Sequence, residues 1–289
     1  RTQGHYDTVW RRGFIHWRRL LIVGVLEQIV ERKRGEVAQA RKRVPDEVMA
    51  KLAGQGSPIN PFAAGLRAIQ GPAIIAEIKR ASPSKGVLRP NDKPGDWKPV
   101  ELAKAYAAAG AGALSVLTDI HSFWGDPGLV DACKAATGLP ILRKDFILEP
   151  WQVDESRNLG ADALLLMVRC HSRDSIHACY DRVRALGMDA LVEVHEPDEL
   201  EIALELEGAV IGVNHRNLST LVLDDNRALD LRSSIPQDRL AVAESGISTP
   251  ERLKLLWDGG YPAFLIGGHI AAAPDPEFEL KRLMAGAHD

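Results

Sequence analysis

The chain has few cysteines, no long apolar run and no excess of charge of either sign. Its 289 residues hold three cysteines, Cys133, Cys170 and Cys179, and no two form a C-x-x-C pair. An odd, sparse set excludes a disulfide framework and fits a reducing, cytoplasmic setting. No stretch reaches the ~20 apolar residues of a membrane span, so no membrane partner is expected. A net charge of −3 without strong asymmetry argues against nucleic acid as a partner. There is no G-x-G-x-x-G turn after an early strand, which weakens an open dinucleotide-binding sheet. There is no G-x-S-x-G elbow and no Cys beside a His at a strand end, against a Ser or Cys hydrolase. His195 and His215 stand singly, which reads as rim or core rather than metal ligation.

What is present is a rhythm. Short apolar runs at 73–78, 113–117, 140–143, 163–168, 189–194, 209–214, 240–243 and 263–266 alternate with helical patterns near 98–109, 127–137, 150–159, 172–186, 196–206, 225–232, 250–258 and 275–284. Eight such units predict an α/β fold, a closed (β/α)8 TIM barrel with an N-terminal helical extension. Gly110-Ala111, Gly160-Ala161 and Gly208-Ala209 stand where helices should end before strands. The expected division is a flexible extension over 1–20, a helical extension over 21–72 packed on the barrel, and the barrel over 73–289. In the second part, Leu21, Val25, Ile29 and Val30 make an apolar stripe, with Glu31-Arg32-Lys33-Arg34 on the wet side. The run Leu20 to Leu26 mimics a signal peptide but lacks a small-residue cleavage site.

Charge gathers where the strands end. The first unit runs Ala73-Ile74-Ile75-Ala76-Glu77-Ile78-Lys79, so Glu77 and Lys79 point to one side, and a loop containing Ser82, Pro83, Lys85 and Gly86 follows. Other runs end in Thr118-Asp119, Arg143-Lys144-Asp145, Glu193, Asn214 with Arg216, Glu244-Ser245-Gly246 and Gly267-Gly268. Any one could be a satisfied rim charge; in a barrel all of them meet at one mouth. Clustered lysines and glutamates shift one another's pKa values, which suits proton transfer. Glycines after the last two strands leave backbone N–H groups open to phosphate, so a phosphorylated small molecule is the expected partner.

Six segments together carry a family resemblance: Ala76-Glu77-Ile78-Lys79-Arg80-Ala81-Ser82-Pro83-Ser84-Lys85-Gly86, Leu114-Ser115-Val116-Leu117-Thr118-Asp119, Leu142-Arg143-Lys144-Asp145-Phe146, Leu191-Val192-Glu193-Val194-His195, Asn214-His215-Arg216-Asn217-Leu218 and Ala243-Glu244-Ser245-Gly246-Ile247. In this order they resemble indole-3-glycerol phosphate synthase, over roughly 26–283. The resemblance implies ring closure of 1-(2-carboxyphenylamino)-1-deoxyribulose 5-phosphate with loss of carbon dioxide and water, without metal or organic cofactor, by a monomer or weak homo-oligomer. It implies Lys144 as general acid at the ketone, a role that a desolvated lysine with a lowered pKa can fill, and Glu193 as the proton-handling group of the dehydration. Lys79 would hold anionic groups, with Glu77, Asn214 and Glu244 orienting the lysines. Arg216, Ser82, Ser245, Gly246, Gly267 and Gly268 would bind substrate, with Pro83, Phe123, Phe146 and Leu165 as the apolar wall.

Three departures from the family pattern stand out. The family's Ser and Leu-Met after the last strand's glycine are replaced by Gly267-Gly268-His269-Ile270-Ala271, which removes a hydroxyl contact to phosphate and leaves backbone N–H groups. The loop Ser122-Phe123-Trp124-Gly125-Asp126-Pro127 lacks the double glycine. The first loop is lengthened by 91–96. Two rivals are a sugar-phosphate isomerase, which would want a Cys or Asp acid–base pair at the first and sixth strands, and a non-catalytic binding barrel, which would have lost Lys79 and Lys144.

Overall fold

The computed structural model describes residues 24–89, 96–217 and 219–286. The 1–20 extension, Leu21, most of the lengthened first loop and Leu218 lie outside these residues. Three helices come first: α1 (Val25–Arg43), α2 (Asp46–Ala53) and α3 (Phe62–Ala68). The strands are β1 (Ala73–Ile78), a small hairpin of β2 (Ala81–Ser82) and β3 (Gly86–Val87), then β4 (Ala113–Leu117), β5 (Ile141–Lys144), β6 (Ala163–Met167), β7 (Asp189–Val194), β8 (Val210–Asn214), β9 (Ala241–Glu244) and β10 (Ala263–Ile266). Between and after them run α4 (Pro99–Ala108), α5 (Ile120–Phe123), α6 (Leu129–Thr137), α7 (Pro150–Asn158), α8 (Arg173–Ala185), α9 (Pro197–Glu205), α10 (Arg227–Arg232), α11 (Pro250–Asp258) and α12 (Pro276–Ala285).

All strands but the hairpin pair in parallel, and β1 closes the barrel by pairing with β4 on one side and β10 on the other. In β6 and β8 every residue before the last is apolar or glycine, as strands buried on both faces require. Helices end where the glycines stand; Gly110 and Gly160 take φ of 95° and 92°, a left-handed geometry that favours glycine.

Alternation along the strands sorts the core into two parts. Ile74, Ile78, Leu114, Leu164 and Ile211 point outward and pack with helix residues such as Tyr106, Ile176 and Leu253. Ile75, Leu142, Leu165, Leu191, Val210 and Val242 fill the barrel interior, sharing one cluster with Leu26 and Ile29 of α1 and Phe62 and Leu66 of α3. The extension therefore packs against the barrel's interior cluster through two separate helices, and Met49 of α2 packs with Trp151 of α7 on the outside. Following the inward face to the strand ends gives Glu77, Lys144, Glu193, Asn214 and Glu244, which makes the mouth polar by register alone.

One expectation fails here. Lys33 is not on a wet face: its side chain is only 7% exposed, and its Nζ contacts Asp145 Oδ1 at 2.9 Å, Asp119 Oδ2 at 3.0 Å and Glu36 Oε2 at 3.0 Å. The two aspartates follow β4 and β5, so the helix lays this charge into the barrel's rim rather than into solvent, and the neighbouring Arg32 reaches Asp119 Oδ2 at 3.4 Å and Ser122 Oγ at 2.6 Å.

Candidate active site

A cavity of about 390 Å³ opens at the C-terminal ends of the strands. All sixteen site residues expected from the sequence line it, and its other walls include Leu26 and Ile29 of α1. At its floor Lys144 Nζ lies 3.0 Å from Glu193 Oε2 and 3.0 Å from Glu244 Oε2. Both carboxyl groups are almost wholly buried, and among the described residues Glu244 Oε1 has no hydrogen-bond partner. An orphaned buried carboxyl oxygen beside a cavity is a place for a ligand's polar group.

Three charges in one dry place do not titrate independently. Burial, the largest influence on Lys144, opposes its charge, yet Glu193, Glu244 and Glu77 outweigh it and hold its pKa above the ordinary value. The lowered lysine pKa expected from the sequence is therefore wrong for the unliganded protein, because several carboxylates surround the ammonium. The displaced proton affinity appears on a carboxyl instead. Burial, opposed by Lys144 and reinforced by Glu193, pushes Glu244 up to about 8. Burial also acts to raise Glu193, but Lys144 and hydrogen bonds from Lys144, Asn214 and Glu244 hold it below the ordinary value. At neutral pH the floor thus carries an ammonium, a carboxylate and a protonated carboxyl.

Two glycines make room for this chemistry. A Cβ on Gly212 would sit 2.2 Å from Glu244 Oε1, and one on Gly267 would sit 2.0 Å from Glu77 Oε2. Glu77 in turn pairs with Lys79, which lies just past the end of β1. One wall is apolar: the Phe123 and Phe146 rings lie 6.1 Å apart between centroids, and Pro83, Leu165 and Met167 also line the cavity. The opposite corner suits an anion. Ser245 and Gly246 follow one another with φ of 66° and 71°, a strained turn for the serine at the cavity rim. Among the described residues, the N–H groups of Gly246, Gly268 and His269 find no acceptor in the protein. Arg216 also lines the cavity; its Nη1 donates to Leu221 O at 2.9 Å, and burial lowers its pKa.

The model of the family described as indole-3-glycerol phosphate synthase matches residues 26–283. The chain belongs to this family. An indole-3-glycerol phosphate synthase of Dechloromonas aromatica is 42% identical over 265 residues, covering 90% of this chain and 99% of that protein. One from Acidovorax sp. is 44% identical over 269 residues, covering 90% and 99%. Among solved structures, 3-hexulose-6-phosphate synthase from Salmonella typhimurium superposes with a TM-score of 0.60 at 12% identity, covering 75% of this chain and 98% of that one. Orotidine 5'-phosphate decarboxylase from Pyrococcus horikoshii gives 0.56 at 15% identity, covering 75% and 99%. These two likenesses are of fold.

Within an indole-3-glycerol phosphate synthase framework, not every strand-end charge faces the cavity's chemistry. Thr118, Asp119 and Arg143 instead hold the rim together, with Asp145 joining them from the cavity's edge. Asp145 accepts from Thr118 Oγ1 at 2.6 Å, Arg143 Nη2 at 3.1 Å and its neighbour Phe146 N at 2.8 Å, while Arg143 Nη1 reaches Glu155 at 2.9 Å. Burial opposes the Asp145 charge, but Arg143 and Lys33 bring its pKa down to about 2. His195 and His215 are tied to carbonyls, Nδ1 donating to Asn214 O at 2.7 Å and to Glu244 O at 2.8 Å, so they brace the ends of β8 and β9. The sequence reading missed Leu26, Ile29, Lys85, Met167 and His269 as lining residues. Met167 was findable, since it stands two after Leu165 and so shares its face; Leu26 and Ile29 were visible only as residues of an apolar segment.

Proposed function

We propose that the chain closes the indole ring of 1-(2-carboxyphenylamino)-1-deoxyribulose 5-phosphate, releasing carbon dioxide and water and forming indole-3-glycerol phosphate. The observation that carries this reading is the Lys144 ammonium held between Glu193 and Glu244, with an apolar wall on one side and open N–H groups on the other. The substrate's aromatic ring lies against Phe123, Phe146, Pro83 and Leu165, and its phosphate lies by Ser82, Ser245, Gly246, Gly267 and Gly268. Arg216 and Lys79 meet the remaining anionic and hydroxyl groups. The carboxyl-bearing ring carbon attacks the ketone carbon, and the ketone oxygen takes a proton from Lys144. A strongly paired ammonium is a reluctant acid until the substrate enters. The incoming carboxylate and ketone compete for its contacts, and Glu244, holding a proton at neutral pH, can return one to the lysine. Carbon dioxide then leaves from the tetrahedral ring carbon, and the electron pair left behind restores the aromatic ring. Glu193 finally manages the protons as the new hydroxyl leaves as water. Glu77, Asn214 and Glu244 keep the two lysines and Glu193 in register.

The enzyme reading extends to a cytoplasmic monomer or weak homo-oligomer that needs no cofactor. No described helix is long and apolar enough to cross a membrane. The rival isomerase finds no Cys or Asp pair on β1 and β8, where Glu77 and Asn214 stand. The test is to incubate purified protein with the anilino-deoxyribulose phosphate in the presence of a chelator. Indole fluorescence should appear with carbon dioxide in equal amount. Ring opening without carbon dioxide, or no product, would sink the reading.

A further inference from the structure

We propose that His269, steered by Glu279, is a phosphate-binding residue of this enzyme, an assignment that rests on the ring-closure reading above. His269 lines the cavity beside Gly267 and Gly268. Its Nε2 meets Glu279 Oε1 of α12 at 2.5 Å, and the Glu279 side chain is 15% exposed. Glu279 is itself fixed by Arg282, at 2.9 and 2.6 Å. The hydrogen bond from Arg282 is the largest influence holding the Glu279 carboxyl down to about 2, so it is an acceptor throughout the working pH range.

That geometry assigns the two ring nitrogens different tasks. With Nε2–H committed to the carboxylate, Nδ1 is the nitrogen left for the cavity. With Nε2 committed to the carboxylate, the imidazolium form of the ring offers Nδ1–H to the phosphate as a charge-assisted donor. The corner is cationic from another side as well: a Cβ on Gly268 would lie 3.8 Å from Lys85 Nζ. The turn carrying His269 is also pinned, because Arg89 Nε donates to Ala271 O at 2.9 Å and its Nη2 donates to Ala273 O. The charged groups around the imidazole are therefore Lys85 from the loop after β1, Glu279 and Arg282 from α12, and Glu77 beyond Gly267. The side-chain donor that Gly268 cannot offer is supplied one residue later by a ring whose orientation α12 sets.

Steady-state kinetics with inorganic phosphate as a competing ligand tests this. His269→Ala should raise KM about tenfold, the scale of a lost charge-assisted hydrogen bond, with a much smaller change in kcat. The inhibition constant of phosphate should rise by a similar factor. His269→Asn keeps a donor near the Nδ1 position and should recover part of the loss, while Glu279→Gln should fall between Ala and wild type. With a substrate analogue lacking the phosphate, the gap between His269→Ala and wild type should close. Wild-type KM and phosphate inhibition in a folded His269→Ala protein would overturn the assignment, as would a gap that persists with the phosphate-free analogue. Wild-type protein that makes no indole product would instead overturn the ring-closure reading, leaving phosphate binding to be measured on its own.

Discussion

Lys134 and Lys144 are both buried ammonium groups, set in opposite surroundings. Lys134, on α6, donates to Asp162 Oδ1 at 2.7 Å, Pro58 O at 2.8 Å and Gly160 O at 3.1 Å. Asp162 is equally occupied, accepting from Asn60 N at 2.7 Å and Ile141 N at 2.8 Å. These partners join the segment before α3 to the start of β5, so the pair fastens the extension to the barrel's N-terminal rim. Lys144 has two glutamates, one of which keeps an oxygen idle among the described residues, and an open cavity before it. A charge whose every contact is internal serves stability; one with an unfilled side is available to a ligand. Lys33 lies between the two cases, close to the mouth but fully engaged by Asp119, Asp145 and Glu36.

The sharpest break in this contrast is expected from Glu193→Gln. It should lower kcat by about 100-fold, the scale of a lost acid–base group, while the melting temperature moves little. Lys134→Met should do the reverse. Stranding Asp162 without its cation costs about 3 kcal/mol of folding free energy in denaturant titration, with kcat per folded molecule near wild type. Lys33→Met should show both effects in smaller measure. It leaves Asp119 and Asp145 facing each other, costing about 2 kcal/mol, and it loosens the residue next to Lys144, so kcat falls about fivefold. A Lys33→Met protein with unchanged kcat would place that network wholly with Lys134.

A further effect concerns pH. Glu244 has its folded pKa raised to about 8 from an ordinary 4.5, so the native state holds a proton there that the unfolded chain has released. Stability from this group is thus intact below about pH 4.5 and declines as pH rises toward 8. Glu244→Gln should flatten that decline, visible as a melting-temperature difference that grows between pH 5 and pH 8.5. A constant difference across that range would mean Glu244 is ionised throughout.

Much of this was legible in the sequence because the strands are apolar runs bounded by turn residues. Ala73–Ile78 and Ala263–Ile266 have no competing helical period, and the last inward residue of each strand falls at the mouth by alternation. Lys144 and Glu193 could be named for the same reason. What stayed hidden depends on three-dimensional counting. A run such as Glu31-Arg32-Lys33-Arg34 does not reveal which charge turns inward, since that depends on two aspartates more than eighty residues away. The direction of the Lys144 shift depends on how many carboxylates reach it, and three strands supply them. The room that Gly212 leaves for Glu244 is likewise a contact between neighbouring strands, silent in the one-dimensional pattern.

The most direct measurement is made on Lys144→Met, with substrate binding by equilibrium titration and indole fluorescence under single-turnover conditions on the same sample. The account predicts a Kd within a few-fold of wild type and product formation slower by at least about 100-fold. Single-turnover rates close to wild type in a variant that binds normally would contradict it.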